Sequence, residues 1–186
     1  MTALQPTAPE TLERRGLFTR IFTEELGYVC GSLRRMGVHP RDVEDVAHDM
    51  FVRVYAKLDA YDPARPIRPW LFGFAFRAAS DYRRLARHRH ELMSTNDREV
   101  EGTAPTPLAE EVLGSREEQS MVLEALDTID LDRRAVLIAY ELDECPMKDI
   151  ADALQIPLAT GYSRLRVARE EFAAAIRRSR LRRGES

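Results

Sequence analysis

Apolar residues recur at three- and four-residue intervals along almost the whole chain, and that spacing is buried only by helices. Leu17, Phe18, Ile21, Phe22, Leu26, Val29, Leu33 and Met36 predict one helix, which Gly37 and Pro40 end. Val43, Val46, Ala47, Met50, Phe51, Val54, Tyr55 and Leu58 predict a second. After the Asp62-Pro63-Ala64-Arg65-Pro66 loop and Pro69, a third runs from near Trp70 and fades near His90. No stretch alternates as a strand would and no segment repeats, so the fold class is all-α.

The periodicity vanishes between Leu92 and Gly114, where Pro105, Pro107, Gly102 and five carboxylates gather. This reads as a flexible acidic linker whose ends lie roughly 25–30 Å apart as a coil and about 75 Å apart when pulled straight. The pattern therefore predicts a flexible extension over 1–16, one small helical domain over 17–91, the linker over 92–114 and a second small helical domain over 115–181. Ser115 with Glu118 forms a capping box at the start of the second domain. Its helices are marked by Val122, Ala125, Leu126 and Ile129, then by Ala135, Ile138, Ala139 and Leu142.

The end of the chain is a helix-turn-helix. A short helix from Met147 to Leu154 buries Ile150, Ala151 and Leu154; Gln155-Ile156-Pro157 turns the chain; and Leu158, Leu165, Ala168, Phe172 and Ile176 share one face of the helix that follows. Ala151 is small enough for a close crossing. The opposite face of the second helix carries Thr160, Ser163, Arg166 and Val167, with Arg164 at its edge and Tyr162 at its flank. In such units the second helix enters the major groove N-terminus first, where hydroxyls meet base edges or phosphate and arginine forks onto guanine. The plainer alternative is a terminal hairpin with a solvated face.

Two further surfaces stand out. The helix from Trp70 assigns Trp70, Leu71, Phe74, Ala78 and Leu85 to its core face, leaving Phe72, Phe76, Arg83 and Arg87 opposite, beside Arg77, Arg84 and Arg89. Aromatics alternating with arginines suit single-stranded nucleic acid, where bases stack and phosphates pair; equally, a second helix can cover Phe72 and Phe76 from behind. The second helix instead exposes Asp42, Asp45, His48 and Asp49 around Val52, an acidic rim on apolar residues that suits protein docking or is simply solvated. Asp45 and His48 have the i, i+3 spacing of a metal pair, but a di-metal bundle needs a second such motif, and the chain has none.

Composition excludes several classes. The net charge of −3 over 186 residues rules out a generally basic nucleic-acid coat, so any such site is local. Cys30 and Cys145 have neither zinc nor disulfide-framework spacing and read as free thiols of a reducing compartment. No leader-like apolar region opens the chain and no run approaches a membrane span, which points to a cytoplasmic protein without membrane insertion. A hydrolase built on Asp45, His48 and Asp49 would lack a phosphate loop and a nucleophile constellation.

Three segments together resemble bacterial RNA polymerase sigma factors of the sigma-70 family, extracytoplasmic-function group. DVEDVAHDMFVRVYAKLDAYDP is similar to the family's polymerase-binding segment, RPWLFGFAFRAASDYRR to its minus-ten reader, and CPMKDIADALQIPLATGYSRLRVARE to its minus-thirty-five reader. The resemblance spans residues from about 17 to 178 in the right order. It implies a non-enzymatic protein, without cofactor or metal, that binds core RNA polymerase and directs promoter recognition. Asp42, Asp45, His48, Asp49 and Val52 would meet the polymerase; Arg68, Phe72, Phe76, Arg77, Arg83, Arg84 and Arg87 would take melted promoter DNA; Thr160, Tyr162, Ser163, Arg164, Arg166 and Val167 would take duplex. A cognate anti-sigma factor is implied as a further partner. A departure at His48 bears on the polymerase contact, those at Phe76 and Arg77 bear on base preference in the minus-ten element, and those at Gly161, Tyr162 and Val167 imply that different bases are read. The alternative is a free-standing helix-turn-helix regulator, dimeric on palindromic half-sites.

Overall fold

The computed structural model describes residues 8–93 and 116–183, and among these no strand occurs. The first unit contains α1 (Ala8–Arg35), α2 (Val43–Ala56) and α3 (Ile67–Met93), with a single 3₁₀ turn, Leu58–Ala60, after α2. Gly37, at φ +89°, ends α1. Its N–H reaches the Arg34 carbonyl at 2.9 Å and the Val38 N–H reaches Leu33 at 3.0 Å, the paired bonds that let glycine close a helix. The core between the three helices is built from Val29, Leu33, Met36, Ala47, Met50, Phe51, Val54, Leu71, Phe72, Ala75 and Ala79.

The second unit contains α4 (Arg116–Asp127), α5 (Leu131–Leu137), α6 (Met147–Leu154) and α7 (Leu158–Arg183). Asp130 caps α5 by accepting the Asp132 N–H at 3.1 Å. α5 runs directly into a π-helical turn, Ile138–Leu142, closed by the Asp143 N–H on the Ile138 carbonyl at 3.1 Å. The wider turn shifts the helical face by one residue. Leu142, assigned to the buried face by its spacing, is therefore exposed. The α6–α7 turn places Gln155 at φ +56° and is tied by the Ile156 N–H on Ala151 at 3.0 Å. A Cβ on Gly161 would lie 2.6 Å from Met147 Sδ, so glycine rather than Ala151 sets the closest approach of α6 and α7. Leu158, expected in the core, is exposed, because Gly161 takes the crossing position one turn later.

Arg134 is the most deeply buried cation of this unit. Its Nε and Nη2 both donate to the Ile129 carbonyl, at 3.2 and 3.0 Å, and Nη1 meets Asp127 at 2.7 Å. Burial pulls its pKa down, and Asp127 opposes that shift. The full set of partners is what makes a guanidinium tolerable there.

Boundaries differ from those read off the sequence. Residues 8–16, expected in a flexible extension, belong to α1. Arg14 Nη2 donates to the Tyr55 carbonyl at 2.7 Å and the guanidinium stacks 4.8 Å from the Tyr55 ring, which ties these turns onto α2. α3 continues to Met93, past the expected end, and α7 reaches Arg183. Residues 94–114 of the expected linker, and Ser115 of the capping box, lie outside the described residues.

The two units pack against each other, chiefly through α3 and α6. Gly73 makes this possible: a Cβ there would fall 2.7 Å from the Ala153 carbonyl oxygen. Around that contact Arg65 forks onto Asp149 at 2.8 Å and Asp152 at 3.1 Å, and Arg77 reaches the Ala153 carbonyl at 3.4 Å. A second junction lies at Asp143, whose side chain is 5% exposed. Its carboxylate accepts from the Tyr28 hydroxyl at 2.9 Å and from Arg35 at 3.4 Å. Burial raises the Asp143 pKa, with Arg35, Tyr28 and Arg68 opposing, and burial likewise raises Tyr28 and lifts Cys145 to about 11.

Candidate nucleic-acid interface

α7 packs on α4, α5 and α6, and its first turns turn a polar stripe outward. Tyr162, Ser163 and Arg166 are exposed, while Thr160 and Val167 are half-buried beside them. The Arg166 guanidinium, 68% exposed, pairs with Glu170 one turn along at 2.8 Å. A pair this solvated is weak, so the guanidinium can exchange onto a base edge or phosphate. Arg164 is different. It donates to Asp132 at 2.7 Å and lies three-quarters buried, joining α7 to α5.

α3 has two apolar faces on opposite sides, and the sequence pattern could not say which is turned inward. The inner face is Leu71, Phe72, Ala75, Ala78 and Ala79, whose alanines let α1 and α2 come close. Phe72 is 1% exposed: it is core, and its expected stacking role is corrected. Phe76 is half-buried against the same core. Leu85, expected in the core, is exposed. The reason is geometric: the Tyr82 hydroxyl meets Asp42, at the start of α2, at 2.6 Å, and beyond that level α3 has run past α2.

Trp70 and Phe74 belong instead to the outer side. Tyr61, Trp70 and Phe74 form a row with ring centroids 5.1 and 4.9 Å apart, and the Arg77 guanidinium lies 5.1 Å over Phe74. This row is a second aromatic–arginine surface, about half a helical turn from the Phe72, Phe76, Arg83 and Arg87 set expected to take melted DNA. Trp70 and Phe74, expected on the core face, also pack against the core as partly buried residues. Farther along α3, Arg84 and Arg87 are exposed, with Arg84 3.4 Å from Asp81. Arg83 is half-buried and points its Nη1 at the Met36 carbonyl, 3.5 Å away, at the C-terminal end of α1, where a cation is favoured. Arg68 pairs with Glu25 at 2.9 Å and lies 4.9 Å over the Tyr28 ring.

On α2, Asp45, His48 and Asp49 are exposed around Val52, which is 66% exposed. The His48 ring sits edge-on to Phe22 at 6.0 Å. Asp42, expected with them, is half-buried and engaged with Tyr82, so it fixes α3 on α2. Among the described residues no group of three or more His, Cys, Asp or Glu could hold a metal ion, and no helix is long and apolar enough to cross a membrane.

Two family models match the chain: Sigma-70 region 2 over residues 21–89 and Sigma-70, region 4 over residues 119–172. The RNA polymerase sigma factor NccH of Alcaligenes xylosoxydans xylosoxydans is 27% identical over 183 residues, which cover 95% of this chain and 98% of that protein. The ECF RNA polymerase sigma factor SigW of Bacillus subtilis is 25% identical over 167 residues, 84% of this chain and 86% of SigW. The solved structure of the sigma factor RpoE from Bartonella quintana, in complex with the anti-sigma factor NepR, aligns with a TM-score of 0.62 at 22% identity, covering 84% of this chain and 96% of that one. That structure shares the fold.

Proposed function

From the premise that the chain belongs to the sigma-70 family of RNA polymerase sigma factors, in its extracytoplasmic-function group, we propose a division of labour among its helices. The protein binds core RNA polymerase and directs promoter-specific transcription initiation. Asp45, His48, Asp49 and Val52 on α2 dock on the polymerase. The outer side of α3, from Arg68 through Arg77 to Arg84 and Arg87, holds the melted minus-ten strand; Phe76 and Arg83 border it. The first turns of α7 read the minus-thirty-five duplex through Tyr162, Ser163 and Arg166, with Thr160 and Val167 at the edges of the contact.

The observation that carries this reading is the outward stripe on α7. It is a short row of adaptable donors at the N-terminal half of a second helix, on a chain whose net charge gives little grip on DNA of its own. A polymerase that supplies the remaining phosphate contacts resolves that imbalance. The work is done in the cytoplasm, where the polymerase is, and without catalytic residues of this chain's own. By similarity to the RpoE–NepR pair, an anti-sigma factor is a second partner.

The test is promoter selection from a randomised duplex library, with and without core polymerase. Arg166→Ala should relax preference at one minus-thirty-five position by about 1–3 kcal/mol in the holoenzyme. Tight binding of the isolated chain to a palindrome, as a dimer, would replace this reading with that of a free-standing regulator.

A further inference from the structure

The first turn of α7 holds a leucine out in solvent. Leu158 is 49% exposed, and Tyr162, one turn along on the same side, is 54% exposed. A single exposed leucine needs no explanation, but the place of this one sets it apart. Seven residues before the buried Leu165, it stands at a position that ordinarily faces the core. The core does not take it. Met147 Sδ and Ile156 Cδ1 lie 2.6 and 4.0 Å from where a Gly161 Cβ would be, so the α6–α7 crossing is filled without Leu158. Ala159, the next residue, is exposed as well, and its small side chain lets the helix tip approach another surface closely.

The second helix of a helix-turn-helix meets duplex DNA tip first. Hydrogen-bonding groups on the base edges are suited to Ser163 and Arg166, and Leu158 has nothing to offer them. One apolar group stands in the major groove, the C5-methyl of thymine. Side chains four residues apart on a helix have Cβ atoms about 5–6 Å from each other, so a methyl can touch Leu158 and Tyr162 at once.

We propose that Leu158, with the Tyr162 ring as a second wall, reads a thymine methyl in the minus-thirty-five element and is a specificity-determining residue of this chain. The inference rests on the assignment of α7 to the duplex. It goes further in naming the chemical group that is read and the side chain that reads it.

Geometry limits where that thymine lies. Eight residues separate Leu158 from Arg166, about 12 Å along the helix axis. At about 3.4 Å per base-pair step, the thymine falls within roughly four base pairs of the position Arg166 reads. Burial of one methyl against apolar walls changes affinity about fourfold.

The experiment uses the holoenzyme and the preferred duplex from promoter selection. Each thymine of the minus-thirty-five element is replaced in turn by deoxyuracil, which keeps the base pair and its hydrogen-bonding groups and lacks only the methyl. In the parent, one replacement should weaken binding about fourfold. In Leu158→Ala, binding to the thymine duplex should itself fall about fourfold, and the same replacement should then change nothing. Leu158→Met, of similar volume and apolar reach, should restore the response to deoxyuracil. Leu158→Ala should also unfold in urea at the parent's midpoint; a lowered midpoint would place Leu158 in the core and overturn the proposal. An equal response to deoxyuracil in the parent and in Leu158→Ala overturns it too. So does a parent that responds at no thymine, or only at one more than about four base pairs from the Arg166 position, and so does a preferred element without an A·T pair. Arg166→Ala in the same assay separates the two levels. If it relaxes preference while Leu158→Ala keeps the parent's response to deoxyuracil, α7 reads the duplex and Leu158 takes no part. If neither variant changes preference at any position, the α7 assignment falls and the proposal with it.

Discussion

Gly161→Val puts a branched side chain where a bare Cβ would already lie 2.6 Å from Met147 Sδ and 3.4 Å from its Cγ. Valine forms helix better than glycine by about 0.4 kcal/mol. Overpacking a filled site costs about 1–3 kcal/mol, so the single variant should lose about 1–2.5 kcal/mol. Met147 is 3% exposed, and its truncation to alanine should cost about 2–5 kcal/mol through the cavity it leaves. Were the two sites independent, the double variant would lose the sum. They share one space, so the valine methyls should fill part of what methionine vacates. The double variant should then be about 1–3 kcal/mol more stable than the sum. Urea titrations of all four proteins, followed by far-UV circular dichroism and extrapolated linearly, give the coupling. The same cycle has a functional reading: valine alone should blur minus-thirty-five preference by tilting Ser163 and Arg166, and alanine at 147 should restore it. Additivity within about 0.5 kcal/mol would refute the claim that Gly161 sets the α6–α7 crossing.

Other outcomes follow from the same geometry. Asp45→Arg with Asp49→Arg should abolish co-elution with core polymerase at unchanged helical content, and retained co-elution would remove α2 from the docking surface. Phe72→Ala should cost about 3–5 kcal/mol in stability, read by urea unfolding; a near-neutral change would contradict its place in the core. Asp143 makes docking of the units pH-dependent. Burial raises its pKa in the packed state, so packing takes up a proton; docking is strongest below the ordinary carboxylate pKa and weakens as pH rises through the raised value. Tyr28, Arg35, Arg68 and Cys145 are the charged or titratable groups around it. Scattering across a pH series rising from the ordinary carboxylate range should show the chain expanding on the alkaline side, with Asp143→Asn flattening the trend.

Helix content, the two units and the helix-turn-helix were legible because each rests on local spacing. Val43 to Leu58 and Ile150 to Leu154 announce their buried faces within a few residues. The errors came where the decision belonged to another part of the chain. Nothing near Phe72 says whether it or Phe74 is turned inward, because α3 is apolar on both sides and a helix more than seventy residues downstream claims the second. Arg83 and Arg164 have partners remote in sequence, the Met36 carbonyl and Asp132, which no local pattern could show. Leu142 followed a regular period that the π-helical turn breaks. Gly161 stood out in the sequence only as a departure and Gly73 not at all; both are where sulfur or backbone approaches too closely for any side chain. Exposure of Asp45, His48, Asp49, Val52, Tyr162, Ser163 and Arg166 matched their patterns, because those residues lie on faces that no other element contests.

Trp70 is the only tryptophan of the chain, and it lines the cleft in which Asp149 and Asp152 face Arg65. Its indole is half-buried against Tyr61 and Phe74. The molecule thus carries its own optical gauge. Separation of the units would move the ring from a cleft walled by carboxylates into water, shifting its emission to the red and opening it to collisional quenching by iodide. Encounter with polymerase or a partner protein could be timed by stopped flow on the unlabelled chain, provided those partners are read by difference.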